Sequence, residues 1–374
     1  MHFIDLKRQQ DLIRKDLDKR IATVLEHGKY IMGPEIAELE NSLADYVKKR
    51  YAIAVSSGTD ALLIALLALG IKPGDRVITS PFTFFATAEV ITILGAIPVF
   101  ADIDERTYNI DPQAIRHVLE HDGQDVKGII PVDIFGQPAD YDEILTIAEQ
   151  YELFVLEDAA QSFGASYKGK PACSFGDVAT TSFFPAKPLG CYGDGGMLFT
   201  AREDLYEIIK SLRIHGKGND KYDNVRIGVN GRMDTLQAAI LLSKFSIFPH
   251  EIELRQQVAQ SYAALLDEHV IIPHVKKGNQ SAWAQYSVCH PQRYNLIAKL
   301  KQAGIPTAIY YPQPLHIQTA FRYLNYKPGD FPIAERVSRQ IFSLPMHPYL
   351  TPEEQEVIAG VVKEMQGDKV TSDE

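Results

Sequence analysis

Cysteine is scarce in this chain. Its 374 residues include three, Cys173, Cys191 and Cys289, too widely spaced for a disulfide framework and without the CxxC pairing of a metal site. A reducing, cytoplasmic compartment is therefore expected, and no metal centre. Basic charge is also short: 38 Lys and Arg stand against 48 Asp and Glu, a net charge of −10. That balance argues against nucleic acid or an anionic membrane as the main partner, since both reward a basic face. The longest apolar run, residues 61–71, falls well below the roughly 20 apolar residues of a membrane span. The opening residues, Met1-His2-Phe3-Ile4-Asp5-Leu6-Lys7-Arg8, meet charge at once, with no apolar signal core. Internal repeats, low-complexity tracts and long linkers are missing too.

What remains is an alternating pattern. Residues 36–47 and 61–69 carry apolar positions at helical spacing, whereas 51–55, 76–79, 97–100, 128–132 and 153–156 are short apolar runs of strand length. Strands alternating with helices predict an α/β fold, a mostly parallel sheet with helices on both faces. Beyond residue 248 the texture changes. Pro249 and Pro273 punctuate a helical stretch, followed by a strand-like run over 285–289, a helix over 294–303 and a second strand-like run over 305–311. The chain thus reads as a large domain, residues 1–248, and a smaller C-terminal α+β domain, residues 249–374, whose polar end at 367–374 is expected to fray.

One lysine stands out. Lys187 lies in Phe183-Phe184-Pro185-Ala186-Lys187-Pro188-Leu189-Gly190-Cys191-Tyr192-Gly193-Asp194-Gly195-Gly196, an apolar segment running into a loop with four glycines. A lysine whose ammonium loses solvation becomes an amine nucleophile at neutral pH, as Schiff-base chemistry requires. Alone, the segment reads more simply as a solvated lysine opening a glycine-rich turn.

Residues upstream argue against that. Leu153-Phe154-Val155-Leu156-Glu157-Asp158-Ala159-Ala160-Gln161 is a buried strand ending in acids. Ligands in open α/β sheets bind beyond the carboxyl ends of strands, so Asp158 stands where a carboxylate can pair with a cationic ring nitrogen; capping a following helix is an equal reading. Ser56-Ser57-Gly58-Thr59-Asp60-Ala61-Leu62 turns from a strand into an apolar helix and offers N–H groups to a phosphate, or plain capping by Ser57 or Thr59. Pro81-Phe82-Thr83-Phe84-Phe85-Ala86-Thr87 offers an aromatic face to a flat ring, although such rings commonly belong to the core. Other motifs fail. Gly164-Ala165-Ser166-Tyr167-Lys168-Gly169-Lys170-Pro171 nearly writes a P-loop, but proline stands where a Ser or Thr must hold magnesium.

Phosphate cradle, aromatic platform, strand-end Asp and apolar-run Lys follow one another in the chain order of a fold-type I pyridoxal-phosphate (PLP) transferase. With them come Tyr30-Ile31-Met32-Gly33-Pro34-Glu35, Gly228-Val229-Asn230-Gly231-Arg232-Met233-Asp234 and Ser343-Leu344-Pro345-Met346-His347-Pro348. On these residues the sequence resembles the DegT/DnrJ/StrS family of nucleotide-sugar aminotransferases over nearly its whole length. The run 184–196 looks most like the branch that aminates C3 of UDP-2-acetamido-2-deoxy-3-oxo-glucuronate in bacterial O-antigen and related polysaccharide pathways.

The resemblance implies roles. Lys187 would bind PLP covalently and, once freed by the amino donor L-glutamate, shuttle a proton. Asp158 would keep the pyridine nitrogen protonated, Gln161 would bond the ring's phenolic oxygen, Phe84 would stack on the ring, and Gly58, Thr59 and Ser182 would hold the phosphate. Asn230 would reach the phosphate across a homodimer interface, so that active sites are shared. Arg213, Arg232, Trp283, Tyr310 and His316 are candidates for contact with the anionic nucleotide sugar; a structural salt bridge is an equal reading for Arg232, and burial the plainer one for Trp283. Three functions fit: a transaminase of a nucleotide-linked ketosugar (the 3-keto uronate or, alternatively, a 4-keto-6-deoxy sugar), a dehydrating or deoxygenating relative, and a noncatalytic regulator. The presence of Lys187 favours the first.

Overall fold

The computed structural model describes residues 1–220 and 222–364; the tail expected to fray at 367–374 lies outside the described residues. Seven strands build the main sheet: β1 (Tyr51–Val55), β2 (Arg76–Thr79), β3 (Ile97–Phe100), β4 (Val126–Ile130), β5 (Phe154–Asp158), β6 (Val178–Ser182) and β7 (Gly196–Thr200). Their spatial order is β1-β7-β6-β5-β4-β2-β3. The pairs β2/β3, β2/β4, β4/β5 and β5/β6 are parallel, and β7 runs antiparallel to both β1 and β6. The expectation of a mostly parallel sheet thus holds, with one strand reversed.

Both faces are covered, which is why the strands read as near-continuous apolar runs rather than alternating ones. On one face Ile53, Val55, Leu156, Val178 and Leu198 pack with Leu62 and Leu66 of the helix Gly58–Ala68 and with Leu205, Ile209 and Leu212 of the helix Glu203–Leu212. On the other, Ala52, Ala54, Ala179, Met197 and Phe199 meet Leu39 and Leu43 of the helix Pro34–Val47 and Ala238 and Leu241 of the helix Thr235–Phe245. Neighbouring strand residues divide between the two clusters, as the two-residue pleat demands.

A smaller α+β unit follows. Its antiparallel pair β8 (Tyr286–Cys289) and β9 (Ile341–Leu344) packs with the helices Phe248–Leu266, Arg293–Gln302 and Pro352–Glu364. The helix Phe248–Leu266 joins the units. Phe248 and Ile252 belong to a large-domain cluster, whereas Val258, Tyr262 and Leu266 belong to the C-terminal one. The proposed boundary near residue 248 therefore falls at the start of a shared helix. The N-terminus crosses it: the Phe3 carbonyl accepts from the Met346 N–H at 3.2 Å, and Gln9 donates to Glu251 at 2.9 Å.

Two sequence expectations shift. The strand expected at 128–132 begins two residues earlier, at Val126, and the run over 305–311 is not a strand. In that run only Ala308 exchanges backbone hydrogen bonds with Ser343, at 3.2 and 2.7 Å. Pro306 lacks the N–H that a longer ladder would need. Among the described residues no helix is long and apolar enough to cross a membrane.

Leu198, fully buried in β7 between β1 and β6, tests this core. Leu198→Ala should destabilise the protein by about 2–5 kcal/mol. Val357→Ala, at a position 55% exposed, should change stability by no more than about 0.5 kcal/mol. Urea midpoints read at unchanged m-value check both.

Candidate active site

The carboxyl ends of β1, β2, β5 and β6 open on one cavity of about 700 Å³, where open α/β sheets receive ligands. Each strand delivers a group. Ser57, Gly58 and Thr59 follow β1; Thr83, Phe84 and Thr87 follow β2; Asp158 closes β5; Ser182 closes β6, and Lys187 stands in the loop beyond it. The C-terminal domain adds Gln285, Ile309, Tyr310, Tyr311 and Gln318, and the N-terminal segment adds Phe3 and Ile4. Sites between two domains are a common place for small-molecule pockets.

Asp158 is 3% exposed. Its Oδ2 accepts from the Thr87 hydroxyl at 2.8 Å and its Oδ1 from the Ala160 N–H at 3.2 Å. No helix starts after it, so the capping alternative falls away; residues 160–164 form a turn. Burial raises the carboxyl's pKa, against the pull of the Thr87 hydroxyl, the Ala160 N–H and the Lys187 charge. Lys187 faces the same cavity with part of its surface open to it, yet surrounding protein desolvates its amine. Its pKa drops to about 8, opposed only by the Asp158 charge. Burial thus outweighs mutual attraction at both partners, and each is pushed towards its neutral form.

Beside this pair lies an anion cradle. Ser57 caps the helix Gly58–Ala68, its hydroxyl accepting from the Asp60 N–H at 3.0 Å. The Gly58 and Thr59 N–H groups, in the first turn, have no carbonyl behind them within the helix. A Cβ on Gly58 would come 2.7 Å from the Ser182 Cβ, so only glycine lets the backbone approach β6 here. Phe84 and Phe184, 58% and 53% exposed, line the cavity as uncovered aromatic surface. Gln161 is already anchored: its Oε1 accepts from the Phe135 N–H at 2.8 Å and its Nε2 donates to the Tyr311 hydroxyl at 3.3 Å. One Nε2 proton remains for a ligand. A backbone cradle, a buried carboxylate, an uncovered ring and a desolvated amine match the phosphate, ring nitrogen, ring face and aldehyde of PLP.

The structure brings together Gly58, Thr59, Phe84, Asp158, Gln161, Ser182, Lys187 and Tyr310. Four of the residues expected at the substrate lie elsewhere. Arg213, 4% exposed, is held in the large domain by Glu40 at 2.6 Å and the Ala54 carbonyl at 2.8 Å. His316, 1% exposed, bonds Glu335 at 3.1 Å and packs on Phe331, and burial lowers its pKa. Arg232 continues the edge of the main sheet through a bridge to Val55, outside the cavity lining. Trp283 donates from Nε1 to Gln256 at 2.9 Å and borders a separate small cleft. Asn230 is exposed and lies outside the cavity of its own chain. Sequence reasoning passed over Thr87, Phe184, Gln285 and Tyr311. For Thr87 a signal existed, a second threonine four residues earlier at Thr83.

Known proteins agree with this geometry. The model of the DegT/DnrJ/EryC1/StrS aminotransferase family matches residues 11–363. The UDP-2-acetamido-2-deoxy-3-oxo-D-glucuronate aminotransferase of Pseudomonas aeruginosa is 50% identical over 351 residues, 94% of this chain and 96% of that one. A family member from Brucella abortus superposes with a TM-score of 0.95 at 46% identity, covering 98% of this chain and all of the other (100%). NtdA from Bacillus subtilis, solved with bound cofactor PMP, the amino form of PLP, has a TM-score of 0.89 at 32% identity, with 98% of this chain and 83% of that one covered. Fold, cavity and matches over nearly the full length lead to one statement: the chain belongs to the DegT/DnrJ/EryC1/StrS aminotransferase family.

Proposed function

We propose that the protein is a PLP-dependent aminotransferase that moves the amino group of L-glutamate onto C3 of UDP-2-acetamido-2-deoxy-3-oxo-glucuronate, for a bacterial surface polysaccharide. The observation that carries the reaction type is the pairing, in one 700 Å³ cavity, of a lysine whose amine has fallen to about 8 with a buried strand-end carboxylate. PLP bound there supplies an electron sink for the carbon that loses its proton. Lys187 would hold the cofactor and, when its amine is free, its Nζ would take up and return the transferred proton. Asp158 would hold the ring nitrogen's proton, the Gly58 and Thr59 N–H groups and the Ser182 hydroxyl would bind the phosphate, Phe84 would cover the ring, and Gln161 would bond its phenolic oxygen. A regulator has no need of a desolvated lysine beside a buried carboxylate, which favours the enzyme reading.

The substrate assignment leans on the 50% identity to the Pseudomonas aeruginosa enzyme and on the residues around Lys187. Charge adds a requirement. Among the described residues the cavity lining contains one cation, Lys187, against Asp158 and Asp194, whereas sugar nucleotide and donor are both anionic. Arg213 and His316 are engaged elsewhere and Arg232 lies outside the lining, which favours a second copy as the source of positive charge. A homodimer with shared sites would allow this. Asn230 is exposed, and Tyr30, Ile31 and Met32, bridged to the same segment at Asp234, are 49%, 49% and 44% exposed, an apolar patch that suits a subunit interface.

Two outcomes follow. Because the Lys187 amine titrates near 8, cofactor-free protein should capture PLP faster as pH rises from 7 to 9, with a midpoint near 8; absorbance during mixing reads it. A midpoint near the ordinary lysine value of about 10.4 would contradict the desolvation. With L-glutamate, the enzyme should aminate the UDP-linked 3-keto uronate, seen by mass spectrometry. Turnover of a 4-keto-6-deoxy sugar instead would overturn the substrate and leave the reaction type standing.

A further inference from the structure

Two hydroxyls stand behind the carboxylate of Asp158. Thr87, at 1% exposure, lies in the first turn of the helix Ala86–Ile93 and gives its proton to Asp158 Oδ2 at 2.8 Å. Thr83, at 2% exposure, places its Oγ1 3.2 Å from that of Thr87. A hydroxyl has one proton. Since Thr87 gives its own to the carboxylate, it can only accept from Thr83, and the chain runs in one direction, Thr83 to Thr87 to Asp158. Thr83 stands in the bend at 81–83, ahead of the helix, and that bend brings its oxygen back to the first helical turn.

We propose that Thr87, oriented by Thr83, is a positioning residue that keeps Asp158 ionised and fixes the plane of its carboxylate towards the cationic nitrogen of the cofactor ring. The inference rests on the PLP reading above and adds to it a source for the carboxylate's charge. A carboxylate deep in an apolar site takes up a proton unless donors stabilise the charged form. Asp158 has two such donors, one on each oxygen: the backbone N–H of Ala160 at 3.2 Å and the shorter, charge-assisted bond from Thr87. The same two, with the Lys187 charge, oppose the upward push of burial on this group. Ala160 offers a fixed amide that no side-chain substitution removes. Thr87 is the donor that the sequence can change. With its hydroxyl gone, Asp158 would compete for the ring proton instead of pairing with it.

The test compares Thr87→Val, which keeps shape and loses the donor, with Thr87→Ser, which keeps the donor, in PLP-loaded protein. Thr87→Val should still carry the cofactor on Lys187, shown by borohydride reduction. The pH midpoint of the bound cofactor's absorbance should move upward by about one unit, because a less cationic ring withdraws fewer electrons. The half-reaction with L-glutamate should slow roughly 10- to 100-fold in its limiting rate, with apparent KM within about 2-fold. Thr87→Ser should return midpoint and rate to within about 3-fold of the parent. Thr83→Val should give a smaller shift in the same direction. A Thr87→Val protein with the parent's midpoint and rate, whatever its melting temperature, overturns the inference, and so does a Thr87→Ser protein as impaired as the valine variant. If the parent protein itself takes up no PLP, the cofactor reading falls and this inference with it.

Discussion

Everything in the cavity depends on keeping a carboxylate and an amine together where water is scarce. In water, Lys187 and Asp158 would both be charged and nearly indifferent to each other. In the cavity, desolvation pulls the lysine down to about 8 and raises the carboxyl. The amine becomes available as a nucleophile near neutral pH. The acid, by contrast, needs help to stay ionised. That asymmetry explains why the carboxylate is surrounded by donors, Thr87 and Ala160.

The sheet makes this possible because parallel strands finish on the same side. β5 ends in Asp158, β6 leads to Ser182 and Lys187, and β1 turns into the helix whose first residues, Gly58 and Thr59, line the cavity. The reversed strand β7 fits the same scheme: Gly196 at its start lies so close to β1 that a Cβ would come 2.3 Å from the Ser57 carbonyl. Close backbone approach at Gly58 and Gly196 therefore shapes the cradle, and the small domain closes the opposite wall with neutral groups, Gln285, Tyr310 and Tyr311.

Much of this was legible in the chain itself. Strand lengths and the change of texture near residue 248 followed from periodicity, and the ordered motifs led to Lys187, Asp158 and the Gly58 cradle. Long-range pairing was harder to read. Arg213 and His316 are polar residues in motif-rich segments, and nothing local reveals that Glu40 and Glu335 already occupy them. The run at 305–311 has strand composition, but a strand needs a partner along its length, and here only Ala308 finds one. Thr87 was overlooked because the aromatic residues around it dominate the segment, whereas its partner lies 71 residues away.

The central claim is that Lys187 is the residue on which the cofactor sits. Borohydride reduction of the PLP-loaded protein, followed by digestion and mass mapping, measures it directly. The account predicts a single phosphopyridoxyl adduct, on the peptide containing Lys187, and none in the Lys187→Ala variant. An adduct on Lys170 or Lys217, or an undiminished one after that substitution, would contradict it.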